Sequence, residues 1–87
     1  MTQRQSDSLP SELIDRLRRI EGQVRGLQKM MKQGRAPSEV IYQMAAVKSA
    51  LEQAALQYLW WEAQQRGTTE EAAQEVRTTL QLIAKIL

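Results

Sequence analysis

Cysteine and histidine are both absent from the 87 residues. Without cysteine there is no disulfide, no thiolate metal site and no cysteine nucleophile, and thiol usage says nothing about redox compartment. Without histidine the commonest general base and the commonest transition-metal ligand go as well. The ionisable groups that remain are Asp, Glu, Lys, Arg and two tyrosines, in no recognisable catalytic constellation. The expectation is therefore a protein that is not an enzyme, with no catalytic residues, no bound metal and no cofactor. Long apolar runs are missing too: none approaches the roughly 18 residues of a membrane span. The first ten residues, MTQRQSDSLP, are polar and do not resemble a signal-peptide core. We expect a cytoplasmic protein with no membrane partner.

Net charge is only +2, but it is unevenly placed. Residues 1–35 carry eight Lys/Arg against four acids, and the rest of the chain carries four against six. A basic first segment joined to a mildly acidic remainder points to an anionic partner for the first segment, although a solvated charged face is the commoner meaning of such clusters.

What is present is helical periodicity. From Leu13 the apolar residues fall at Leu17, Ile20, Val24, Leu27 and Met31, alternating steps of four and three. Pro10 suits the first turn of this helix, Gly34 can close it, and Pro37 can open the next. The second helix, roughly residues 37–66, repeats the seam with Val40, Met44, Val47, Leu51, Ala54, Tyr58 and Trp61. It also carries Ile41, Ala45, Leu56 and Leu59 on another face, so it needs cover on two sides. Gly67 ends it, and Thr68 with Glu71 forms a capping box for a third helix whose seam is Ala72, Val76, Leu80, Ile83 and Leu87. Nothing resembles a strand. A domain of this size hides only about 60 to 65% of its unfolded surface, so its core is thin. The fold predicted is all-α, with three helices per chain, chains pairing into a four-helix bundle and then into a larger assembly.

The first helix carries one anomaly. At 100° per residue, Arg18, Gly22, Arg25, Lys29 and Lys32 line up nearly opposite the apolar seam, with Gly26 beside them. Each mid-helix glycine disfavours the helix by roughly 1 kcal/mol relative to alanine. The pair G-x-x-x-G is known from membrane helix dimers, but its neighbours here are Arg, Glu and Gln, which excludes that reading. Gly22 leaves a shallow notch between Arg18 and Arg25, through which a phosphate backbone could approach guanidinium groups without side-chain bulk in the way. A solvated face, or another helix packed on the glycines, would leave the same pattern.

The stretch RLRRIEGQVRGLQKM, residues 16–30, followed from residue 42 by YQMAAVKSALEQAAL, closely resembles the CsoR/RcnR family of bacterial metal- and thiol-responsive repressors. The first helix of that family carries an R-I-E-G-Q-[VI]-R-G-like signature and the second a Q-[IM]-x-A-[VI]-[RK]-x-A-L-like one. The resemblance covers about Leu13 to Arg66 and implies a single domain over residues 10–87 behind a flexible segment over residues 1–9. It implies a disc-shaped homotetramer of two dimers, each an antiparallel four-helix bundle, that binds the operator DNA of its own or a neighbouring operon. Carried onto this chain, the DNA-contacting residues would be Arg16, Arg18, Arg19, Arg25 and Lys29 around Gly22, with Lys48 of the second motif as a weaker candidate. Glu21 and Gln23 belong to the signature too, with local salt bridges and helix packing as a competing role.

The departures are equally informative. The copper-sensing members have a Cys at the start of helix two, a His 25 positions on and a second Cys four after that. Those positions are here Pro37, Glu62 and Arg66. Proline offers no side-chain ligand, arginine stays protonated, and a lone carboxylate does not select a soft metal. The nickel, formaldehyde and persulfide chemistries of the family depend on the same first Cys, so they are missing as well. Glu62 and Arg66 stand at i, i+4 and would pair with each other. Trp60 and Trp61, beside them, either fill a helix interface or wall a pocket for an organic effector anchored on Glu62 or Arg66. The function expected is a repressor whose effector is neither a transition metal nor a thiol-reactive compound. The alternative is a helical oligomer that acts as a protein-interaction module without specific DNA binding.

Overall fold

The computed structural model describes residues 9–87. Three helices follow one another: α1 (Ser11–Lys32), α2 (Pro37–Arg66) and α3 (Glu70–Ile86), with no strand among the described residues. Of the expected flexible segment 1–9, residues 1–8 lie outside the described residues, while Leu9 packs half-buried against the core.

Each boundary has a local cause. Pro10 is the residue before the first turn of α1, and its carbonyl accepts from the amides of Leu13 at 3.1 Å and Ile14 at 3.4 Å. α1 closes in a Schellman arrangement: the Gly34 amide donates to the Met31 carbonyl and the Arg35 amide to the Met30 carbonyl, at 3.1 and 3.0 Å. Gly34 takes φ +70°, a conformation that favours glycine. Pro37 opens α2, and Arg35 donates across the turn to Glu39 at 2.6 Å, which holds the Glu39 carboxyl below the usual carboxylate range. Gly67 stops α2 at φ +87°. The expected capping box at Thr68 is corrected by one residue: Thr69 is the cap, its hydroxyl accepting from the Ala72 amide at 3.1 Å. Glu71 therefore lies one position short of where it could bond back to the cap.

α1 and α2 form an antiparallel hairpin cored by Leu13, Ile20 and Leu27 against Val40, Val47 and Ala54. Residues seven apart on each helix are buried. The alternate row of the same seam is open in the single chain: Leu17, Val24 and Leu51 are each 40% exposed, Met44 39% and Tyr58 46%. One neighbouring helix covers only half of a heptad seam, so this row is left open to further helices. α3 packs on α2 alone and makes no helix contact with α1. Its expected seam is corrected in the middle. Leu80 is 48% exposed, whereas Thr79 is half-buried and, with Val76 and Ile83, faces α2. At 100° per residue Thr79 lies within about 20° of the Ala72 direction and Leu80 about 80° from it. The resulting packing is loose, and a cavity of about 470 Å³ remains between α2 and α3.

Candidate nucleic-acid interface and effector region

The basic residues of α1 do not all behave alike. Arg18, Arg19, Arg25, Lys29 and Lys32 are exposed, and among the described residues only Arg18 has an ion-pair partner, Asp15 at 3.6 Å. That pair is solvated on both sides and contributes little, about 0 to 1 kcal/mol. Arg16 differs: it is half-buried, and its Nε donates to Gln57 Oε1 on α2 at 3.2 Å. Its guanidinium is committed to the hairpin, which sequence periodicity did not reveal. Lys48 stands exposed on α2, with no bond tying it to the α1 row.

A Cβ added to Gly22 would meet only Arg25 Nη2, at 3.8 Å, and one added to Gly26 would meet nothing within 4 Å. No packing among the described residues requires either glycine. Two mid-helix glycines at roughly 1 kcal/mol each therefore leave bare backbone beside cations, open to something outside the chain. Gln23, next to them, buries its Oε1 with no partner among the described residues.

At the other end of the molecule, Tyr58, Glu62 and Arg66 form a ladder along α2. The Tyr58 hydroxyl donates to Glu62 Oε2 at 2.9 Å, and Arg66 Nε donates to Glu62 Oε1 at 3.3 Å. Glu62 is 7% exposed, the one buried charged residue among those described. The i, i+4 pairing of Glu62 with Arg66 was legible in the sequence. Tyr58 was not singled out, although its own i, i+4 relation to Glu62 is the signal that finds it. All three side chains line the α2–α3 cavity, with Glu75 and Thr79 of α3 opposite. Neither tryptophan lines it: Trp61 is buried and stacks on Tyr58 with ring centroids 6.1 Å apart, and Trp60 is 69% exposed. Pro37 begins the same helix, about 38 Å from Glu62 and about 44 Å from Arg66 at 1.5 Å per residue, and so cannot meet either in its own chain.

A family model described as metal-sensitive transcriptional repressor matches residues 10–87. The chain belongs to that family. It is a family of transcriptional repressors, not of enzymes. The copper-sensing transcriptional repressor CsoR of Bacillus subtilis is 42% identical over 48 residues, 55% of this chain and 48% of that one. The copper-sensing transcriptional repressor RicR of Mycobacterium tuberculosis is 48% identical over 44 residues, 51% of this chain and 46% of that one. The chain thus spans about half the length of these curated relatives. Among solved structures, the Cu(I)-bound copper-sensing repressor CsoR of Geobacillus thermodenitrificans superposes with TM-score 0.74 at 31% identity, covering 97% of this chain and 94% of that one. The nickel-responsive regulator InrS superposes with TM-score 0.71 at 29% identity, covering 95% and 97%.

The residues present do not fit the metal that the family implies. Both Glu62 oxygens are already engaged, one by a guanidinium that carries a permanent positive charge where a cation would have to sit. Proline at position 37 supplies no side-chain ligand. Among the described residues no three His, Cys, Asp or Glu side chains gather closely enough to hold an ion, and no helix is long and apolar enough to cross a membrane.

Proposed function

We propose that this chain is the subunit of a homotetrameric transcriptional repressor that binds operator DNA through the basic face of α1 and responds to something other than a transition metal. The observation that carries the reading is the bare backbone at Gly22 and Gly26, flanked by the exposed cations of Arg25 and Lys29, which have no ion-pair partner among the described residues, on a helix whose family regulates transcription. Phosphate oxygens match that surface in charge, and the missing side chains allow close approach. The open row containing Leu17, Met44 and Leu51 supports pairing of hairpins into a four-helix bundle, with a dimer of such bundles as the working assembly. A DNA-binding role places the protein with the chromosome, in the cytoplasm.

Relatives named for copper sensing share the fold, but Glu62 and Arg66, two of the three positions to which the family resemblance assigns metal ligands, are bonded to each other in the ladder. The ladder supports a site that has been replaced rather than one waiting for an ion. The test is an anisotropy titration of the assembled protein with DNA from its own promoter region, repeated from low to physiological salt. Binding whose logarithm falls linearly with the logarithm of salt supports the repressor reading. An assembly that binds no promoter DNA even at low salt removes it, and the protein-interaction module takes its place.

A further inference from the structure

We propose that the cavity between α2 and α3 binds a lipophilic organic cation, a molecule with a delocalised or shielded positive charge on a largely apolar body. The inference deepens the effector part of the proposed function and rests on that reading only for its regulatory meaning. Three features of the cavity carry it. Its volume of about 470 Å³ suits a drug-sized molecule, and its walls are mostly aliphatic, with Leu59, Val76, Leu82 and Ile83 among them. Its charged lining is unbalanced: two carboxylates, Glu62 and Glu75, stand against one guanidinium, Arg66. Tyr58 also lines it, and aromatic rings attract cations.

The balance can shift without breaking the fold. Glu75 has no ion-pair partner among the described residues, so its charge is uncompensated at the rim. Glu62 is buried and cannot be left without a counter-charge, yet the Arg66 side chain that supplies one is 45% exposed. Arg66 can therefore swing outward when another cation takes its place beside Glu62. The ligand would gain a buried carboxylate while the guanidinium returns to water, an exchange that an organic anion could not drive. Arg66 is on this account an internal competitor of the ligand.

The experiment uses the full chain carrying Trp60→Phe, so that Trp61, stacked on Tyr58, is the one tryptophan reporting. Tetraphenylphosphonium is titrated and its fluorescence response compared with that of tetraphenylborate, the same shape with the opposite charge. The cation is expected to bind saturably, and the anion at least tenfold more weakly, the order expected of one desolvated charge contact. Arg66→Met should tighten tetraphenylphosphonium, whereas Glu75→Gln should weaken it while leaving the α2 ladder untouched. Equal binding of both ions, weaker cation binding in Arg66→Met, or no binding because a second chain fills the cavity would each overturn the proposal. DNA affinity is measured on the same samples. A protein that binds the cation but no DNA keeps the site and loses the repressor reading, and one that binds DNA but no cation does the reverse.

Discussion

Two threonines and one glycine show how much a single position decides. Thr69 caps α3 through its hydroxyl, so Thr69→Ala should cost about 1 kcal/mol, whereas Thr68→Ala should be nearly neutral. Paired thermal melts of the two variants check which one holds the helix start. Sequence alone favoured Thr68, because Glu71 sits three residues on and completes the box pattern. The backbone instead begins the helix at Glu70, and the pattern one residue later carries only half of that motif. Gly22→Leu is the sharper test at α1. It leaves every charge in place, raises helix propensity by roughly 0.8 kcal/mol, and meets only the flexible end of Arg25. We expect the variant to keep its assembly and stability while losing promoter DNA affinity. Dissociation of the oligomer, seen by sedimentation, would assign the glycine to helix packing.

At the scale of elements, one α1 cation is set apart: Arg16 bonds across the hairpin, while Arg25 and Lys29 stand exposed. Arg25→Gln and Lys29→Gln should each lower the log–log salt slope of DNA binding by about 0.9 if the residue meets a phosphate. Arg16→Gln should instead lower stability by about 1 kcal/mol, the net worth of its bond to Gln57, and move the slope little. Measuring slope and melting midpoint on the same three variants separates the roles. The helices themselves were readable in advance, because Gly34, Pro37 and Gly67 punctuate the chain and the apolar spacing is regular. The commitment of Arg16 to the hairpin was not, since it depends on which flank of α1 the hairpin partner covers. The same holds for α3, where Thr79 rather than Leu80 turns inward. Apolar character pointed to Leu80, but Thr79 stands seven residues from Ala72 and keeps the heptad step that Leu80 breaks.

The whole molecule joins a basic face on α1 to a charged cavity at the far end of α2, and neither contains a soft ligand. Equimolar Cu(I) or Ni(II) should leave the melting temperature unchanged, because only an ion that binds the folded state stabilises it. A submicromolar affinity in a competition titration would reveal a site that the donor set argues against. The open row on the hairpin makes a second prediction at this scale. Leu51→Asp should convert the assembly to smaller, less stable species in sedimentation equilibrium, as a charge placed in an apolar seam has no partner there. That row also has a consequence inside a cell. If a second copy covers that row, as in the proposed assembly, a newly made chain would show its half-covered leucines to proteases and chaperones until it met one, and the half-life of the protein should lengthen as its abundance rises. Transcript level would then be a poor guide to repressor level: below a threshold of synthesis most chains would be cleared, and above it they would accumulate steeply.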